Sequence, residues 1–593
     1  MRTIISLIAL FVSTAALAAE PAPLPPAMPW HGASEKLVAK PDDPWITPAE
    51  ASGFRQTPNY GETRAYLERL VAASGGLLTL EVFGQTAQGR DLIAVRAAKP
   101  STSPRPTVLA QAGIHSGEID GKDAGLMLLR DIALRGKASL LDQVDLLFVP
   151  IFNADGHERT SAFNRPNQRG PENQGWRTTA QNLNLNRDYL KVDTPEMAAM
   201  LGLIRKYQPA LYFDLHVTDG IDYQYDITFG FNGWGGRYAQ SPAIGRWLDG
   251  ALRPALTAAL AKAGHIPGGL VFAANDRKPD DGLVDAYTPA RFSNGWGDLA
   301  RIPSVLVENH SLKPYRQRVL GTYVLLEAAL KAVAADPAAL RQAIAADRAA
   351  RPSSIPLRWK ALDTPIYETE FLGVAHETYP SAASGGPEVR WLGKPIRQTQ
   401  KVYGDAPETT TTLPVAWWVP ATQPEVIARL RLQGVAFETL TAARTVTVEM
   451  LRLPEPKPGA INEGHVEIGA QTGVPELRTE TFPAGSVRVP SDQPLGLVAA
   501  HLLEPGSPES LLAWGFFPQI YQRTEYIEGY AIAPLADKML AQDPALKAAF
   551  EAKLAADPDF AKNPDTRLEW FYKRTLYYDA RYLLYPVGRE LAR

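Results

Sequence analysis

Four apolar stretches govern what this chain can fold into. Val108–Ile114, Val144–Phe152, Ala210–Leu215 and Pro303–Val307 are each too short for an ordinary helix and are rich in strand-forming residues. A run as continuously apolar as VDLLFVPIF, residues 144–152, belongs to a strand buried on both faces. Helical spacing lies around them. Tyr66, Leu67, Leu70 and Val71 recur on one face of Tyr60–Ser74, and Ala124–Leu134, Pro195–Tyr207, Ala243–Ala263 and Arg316–Ala335 also read as helices. Leu77–Val82 and Leu92–Val95 add two further strands. Strands alternating with helices predict an α/β fold with a mixed, mostly parallel sheet flanked by helices. In such a sheet, ligands bind beyond the carboxyl ends of the strands.

Chemistry-bearing residues fall at those ends. His115 follows the first apolar strand, His216 the third and Glu308 the fourth. His115 and Glu118 are three apart at the mouth of a helix, so both side chains can point at one spot. Imidazole nitrogen with carboxylate oxygen suits Zn²⁺. A close pair on one element and a distant third ligand from another strand leave a fourth position for water. That water then needs a base, for which Glu308 is the candidate. Each residue alone has an ordinary explanation: a strand-end glutamate is often a solvated edge, and an isolated histidine often a hydrogen-bonded core residue. Their order along the chain is what raises them above that. A second His-x-x-Glu, His501–Glu504, reads as structural.

The remaining features set bounds. At 593 residues the chain exceeds one hydrophobic core. A net charge of −3 argues against nucleic-acid binding by phosphate neutralisation. With Cys 0 there is no disulfide, so stability rests on the core. Met1-Arg2, the apolar Ile4–Val12 and the small residues Ser13–Ala19 read as a signal peptide over 1–19, which predicts an exported protein, periplasmic or extracellular, with no membrane segment once it is removed. Residues 20–58, opening on EPAPLPPAMPW, read as an extended lead-in, and 59–345 as the catalytic domain. Asn153–Arg187 is polar and aperiodic, a long loop of the kind that carries function. Residues 351–593 read as an α+β region, with helices near Pro424–Leu432 and Asp543–Ala555 and an exposed loop at Asp405–Pro414.

With these residues in view, the sequence resembles the zinc carboxypeptidases typified by carboxypeptidase A over roughly Tyr60–Ala335. The resemblance implies that His115, Glu118 and His216 are the ligands of one Zn²⁺ per chain and that Glu308, in PSVLVENHSLKPY, is the catalytic glutamate. It implies that Asn186-Arg187, in NLNLNRDY, holds the terminal carboxylate of a peptide substrate. Arg177, in Trp176-Arg177-Thr178, then polarises the scissile carbonyl, with Arg165 and Arg169 as competitors, and Tyr287 is the mobile-loop tyrosine, with Tyr223, Tyr225 and Tyr315 as competitors. Two departures stand out. Gly117 occupies a position where the family often has arginine, and Asn184 one where many members have aspartate.

The activity implied is removal of residues from the C-terminus of peptides. Two other readings use the same residues: the same chemistry on cell-wall peptides or N-acyl amino acids, and a non-catalytic peptide-binding module.

Overall fold

The structure is a computed structural model that describes residues 24–592; the expected signal peptide lies outside the described residues. The expected strands and helices form in the expected order. In chain order the strands are β1 (Leu78–Gln85), β2 (Asp91–Ala97), β3 (Thr107–Ala112), β4 (Asp145–Val149), β5 (Leu211–Val217), β6 (Ile227–Gly230), β7 (Pro267–Gly269), β8 (Leu283–Asp285) and β9 (Ser304–Asn309). All but β8 join one eight-stranded sheet, ordered β1-β2-β4-β3-β5-β9-β6-β7. Its centre, β4-β3-β5-β9, is parallel, while β1, β2 and β6 pair antiparallel.

Alternate residues of the central strands enter different cores, as the two-residue period requires. Val108, Ala110 and Ala112 of β3 pack with Leu67, Leu70, Leu126, Leu129, Leu320 and Leu330 from helices Tyr60–Ala73, Asp120–Leu134 and Tyr315–Ala335. Leu109 of β3 and Tyr212 of β5 face the other way. There they meet Leu201 and Ile204 of helix Pro195–Tyr207, and also Trp417, Leu430, Val489 and Leu502 from beyond residue 351. The C-terminal region thus covers one face of the central sheet.

That region carries its own six-stranded sheet. Its order is Glu438–Thr439, Val487–Pro490, Ala416–Val419, Gly588–Glu590, Arg444–Arg452, Val474–Phe482. A separate small core holds the helices from Gly529 to Tyr572 together. The long strands β10 (Ser354–Ser381) and β11 (Gly386–Thr412) form a hairpin, and β11 runs parallel to β8.

Two expectations change. Asp405–Pro414 is not an exposed loop: its first eight residues, Asp405 to Thr412, end β11, paired from Ala361↔Asp405 to Ser354↔Thr412, and the β-branched threonines suit a strand. The lead-in is extended only to Gly32; a helical turn at Ala33–Leu37 and a short helix at Pro48–Ala51 follow. The lead-in is pinned to the domain, Trp30 Nε1 donating to the Gly264 carbonyl at 2.8 Å and Glu50 pairing with the buried Arg130. Among the described residues no helix is long and apolar enough to cross a membrane.

Candidate active site

The chain turns sharply after β3 and enters helix Asp120–Leu134, which leaves His115 and Glu118 buried at the carboxyl end of the sheet. His216 lies near the end of β5, in direct register with Glu308 on β9. Parallel strands in register place both side chains on one face, so the sheet itself brings the second histidine to Glu308. His115, Glu118 and His216 offer ligand atoms that lie within 4.8 Å of one another. Glu118 bridges the histidines: Oε1 is 3.0 Å from His115 Nδ1 and Oε2 is 3.0 Å from His216 Nδ1.

Each imidazole is held from behind through Nε2. For His115 the partner is Asn184 Oδ1 at 3.0 Å, on the polar loop. For His216 it is Asp214 Oδ2, also at 3.0 Å but off-line for a hydrogen bond. Gln111 Nε2 fixes Asp214 by donating to Oδ1 at 2.9 Å, and Tyr212 Oη fixes Gln111 in turn at 2.8 Å. An Nε2–H turned outward on each ring would leave Nδ1, on the Glu118 side, as the nitrogen able to take a metal. Burial lowers the His115 pKa, with Glu118 opposing. Burial also disfavours protonated His216, yet Asp214, Glu118 and Glu308 together hold its pKa well above the usual value.

A cavity of about 520 Å³ opens over these residues. Glu308 lines it, and burial pushes its carboxyl up to about 8, His216 opposing and Glu118 and Asp214 adding to the rise. Its Oε2 is buried without a hydrogen-bond partner. Arg177, Asn186 and Arg187 line the same cavity. Arg177 Nη1 donates to Glu118 Oε1 at 3.3 Å and its side chain is 39% exposed. Arg187 lies over the Phe292 ring at 4.5 Å, with Nη1 donating to the Asn186 carbonyl at 2.8 Å. Burial lowers the Arg187 pKa, with Arg177 and Arg291 adding and Glu463 and Glu509 opposing.

The structure separates the competing arginines. Arg169 donates to backbone carbonyls at Leu312 and Pro25 and does not line the cavity. Arg165 is buried with Nη2 3.0 Å from Glu118 Oε1, behind the cavity wall. Gly117 explains how it gets there, since a Cβ at 117 would lie 2.4 Å from Arg165 Cγ. Tyr287 also lines the cavity, its ring stacked on Trp359 of β10 at 4.9 Å and its hydroxyl buried without a hydrogen-bond partner. Burial raises its pKa, and the charges of Asp298 and Glu509 add to the rise. His501, of the second His-x-x-Glu, is buried in helix Gly496–Leu503, and Glu504 accepts from Trp417 Nε1 at 2.8 Å.

Sequence reasoning did not assign Asp214, Arg291 or Glu509. Arg291 pairs with Glu509 at 2.8 Å, which brings a C-terminal-half carboxylate to the arginine wall. Asp214 was legible in the motif Asp214-Leu-His216, two residues from a ligand on the same face of β5. Glu509 had no comparable signal.

Geometry and sequence comparison agree on the class. Residues 63–242 match the family model described as zinc carboxypeptidase. The match includes His115, Glu118, Arg177, Asn186, Arg187 and His216 and ends before Tyr287 and Glu308. Among similar proteins, carboxypeptidase 2 of Trichophyton rubrum is 27% identical over 168 residues, which is 27% of this chain and 28% of the relative's length. Carboxypeptidase 2 of Trichophyton tonsurans is 23% identical over 508 residues, covering 80% of this chain and 87% of that one. A metallo-carboxypeptidase structure from Burkholderia cenocepacia aligns with a TM-score of 0.35 at 18% identity, over 46% of this chain and 69% of that chain.

The zinc carboxypeptidase family uses Zn²⁺, and the residues present fit such an ion. Two neutral-capable imidazoles with outward N–H groups and one carboxylate form a donor set of the type found in catalytic zinc sites.

Proposed function

We propose that this chain is a zinc-dependent carboxypeptidase that releases residues from the free C-terminus of peptides, with His115, Glu118 and His216 holding one Zn²⁺. The observation that supports this reading best is the convergence of those three ligands beneath a cavity walled by Arg177, Asn186 and Arg187. When bound, zinc supplies Lewis-acid activation of water and of a carbonyl oxygen.

The protein groups divide the remaining work. Arg187 presents a planar fork of donors that matches a carboxylate, and Asn186 adds a side-chain amide. An anion there adds a partner for the buried Arg187 guanidinium, whose pKa burial lowers. A terminal carboxylate held at Arg187 sets the last peptide bond between Arg177 and Glu308. Glu308 takes a proton from water on its unpartnered Oε2 and returns it to the leaving nitrogen. Arg177 donates to the carbonyl oxygen as negative charge grows on it. The unpartnered Tyr287 hydroxyl is a further donor, and it reaches substrate only if the ring leaves Trp359.

Metal analysis beside peptide digestion tests this. About one zinc per chain, with terminal residues released one at a time and release stopped by a chelator, is the expected outcome. Zinc without trimming of ordinary peptides would shift the substrate to cell-wall peptides or N-acyl amino acids, which end in the same carboxylate. Absence of zinc after metal is supplied would overturn the ligand assignment. We also propose export, on the signal-like residues 1–19; recovery of the uncleaved chain from the cytoplasm alone would refute it.

A further inference from the structure

At one place the C-terminal half reaches beyond the face of the sheet it covers. A short hairpin pairs Ile461–Asn462 with His465–Val466 and turns at Glu463-Gly464. Both turn residues are left-handed, with φ of 47° at Glu463 and 81° at Gly464. Glycine takes that conformation freely, whereas glutamate takes it only at a cost. Glu463 Oε2 accepts the backbone N–H of Asn184 at 2.7 Å. Asn184 is the residue whose Oδ1 holds His115 Nε2 at 3.0 Å and accepts the Asn186 N–H at 3.0 Å. A carboxylate from the far half of the chain therefore ends a path of two contacts to a metal-ligating histidine.

The hairpin is tied at a second point. His465 Nε2 lies 2.7 Å from Asp193 Oδ2, on the far side of Asn186 and Arg187. Burial works against the Asp193 charge, but His465 and Lys191 hold its carboxyl well below the usual range. Arg429, on helix Pro424–Gln433, donates to Asp193 Oδ1 at 3.1 Å. The contacts at Asn184 and Asp193 thus bracket the residues that face the substrate carboxylate. The Glu463 charge also favours protonated Arg187 against the effect of burial.

We propose that Glu463 is a positioning residue: its carboxylate fixes Asn184, and through it the orientation of His115 and of the Asn186-Arg187 clamp. The C-terminal half is then part of the active site. This rests on the zinc carboxypeptidase reading above. The test compares the full chain with Glu463→Ala and Glu463→Gln. Zinc affinity is read by competition with a chromophoric chelator, KM and kcat with a peptide bearing a free C-terminus, and loop order by amide hydrogen exchange over residues 179–194. Glu463→Ala is expected to weaken zinc binding about tenfold, to raise KM more than it lowers kcat, and to speed exchange in that segment. Glu463→Gln keeps an oxygen for the Asn184 N–H and is expected to recover most of the loss. Unchanged zinc affinity and KM in Glu463→Ala, with a parent that binds zinc, would overturn the proposal. Equal losses in both variants, tracking a lowered Tm, would overturn it as well. A parent that binds no zinc would sink the metal reading instead, and exchange over 179–194 would then decide for or against the hold of the hairpin.

Discussion

The candidate site is built from two materials. One half is carried by the sheet: His216 and Asp214 on β5 and Glu308 beside them on β9, in register and backed by the Gln111–Tyr212 hydrogen bonds. The other half is carried by a loop: Asn184, Asn186, Arg187 and Arg177, braced from the C-terminal region. The two histidines show the contrast most directly. A carboxylate within the strand backs His216, and a neutral amide on the loop backs His115. Strand register cannot be adjusted one side chain at a time, whereas a loop can be retuned by whatever packs against it. The sheet-borne half therefore suits the chemistry, and the loop-borne half suits the choice of substrate.

Substitutions can break or sharpen that division. The largest effect is expected from Glu308→Gln, which should lower kcat by about a hundred- to ten-thousand-fold. Metal analysis should still find zinc, and an active Glu308→Gln protein would end the general-base assignment. Next comes Arg187→Ala, on the loop side. Loss of a charge-assisted contact, about 1.5–3 kcal/mol, should raise KM for peptides with a free C-terminus roughly ten- to a hundredfold. Hydrolysis of the matching C-terminal amides, slow from the start, should barely change; an equal effect on both would remove the clamp. Asp214→Asn and Asn184→Asp test the histidine supports against each other. The first is expected to weaken zinc binding about tenfold and the second to tighten it by a smaller factor, because carboxylate backing makes imidazole a better ligand. Chelator competition measures both, and a matching loss in the two would mean that geometry, not charge, is what the supports provide.

The smallest effect concerns how the loop is braced. The Asp193 carboxyl is depressed in the folded state, so its contribution to stability is present above the ordinary aspartate pKa and is lost as pH falls through the folded value. Asp193→Asn should therefore lower stability near neutral pH. Denaturant unfolding from about pH 7 down to about pH 3 should show the gap from the parent constant at first and beginning to narrow once the pH drops below the ordinary aspartate pKa.

The sheet-borne half was readable in advance, and for a physical reason. Short apolar runs fix strands, strands fix a parallel centre, and the carboxyl ends of such strands are where ligands bind. That reasoning alone puts His115, His216 and Glu308 at the strand ends. The loop-borne half was readable only by resemblance, because residues 153–187 carry no period to say where a side chain points. The contacts that complete it were not readable. Asn184 and Glu463 are separated by 279 residues, and their pairing depends on how the C-terminal region docks. The helix Gly496–Leu503 shows the same limit in the core: buried on all sides, it has no polar face to reveal its pitch. Departures from the family pattern proved informative in one case, since Gly117 leaves the space that Arg165 fills.

The strand Gly588–Glu590 has a consequence for how the molecule is made. It sits inside the C-terminal sheet, between Ala416–Val419 and Arg444–Arg452, although it comes last in sequence among the strands. During synthesis the chain is laid down from the other end, so its neighbours emerge well before the strand that joins them. Until residue 590 arrives the sheet has two open edges where it should be continuous, and open edges invite pairing with other chains. The C-terminal sheet is therefore joined into one only when Gly588–Glu590 takes its place between those two strands.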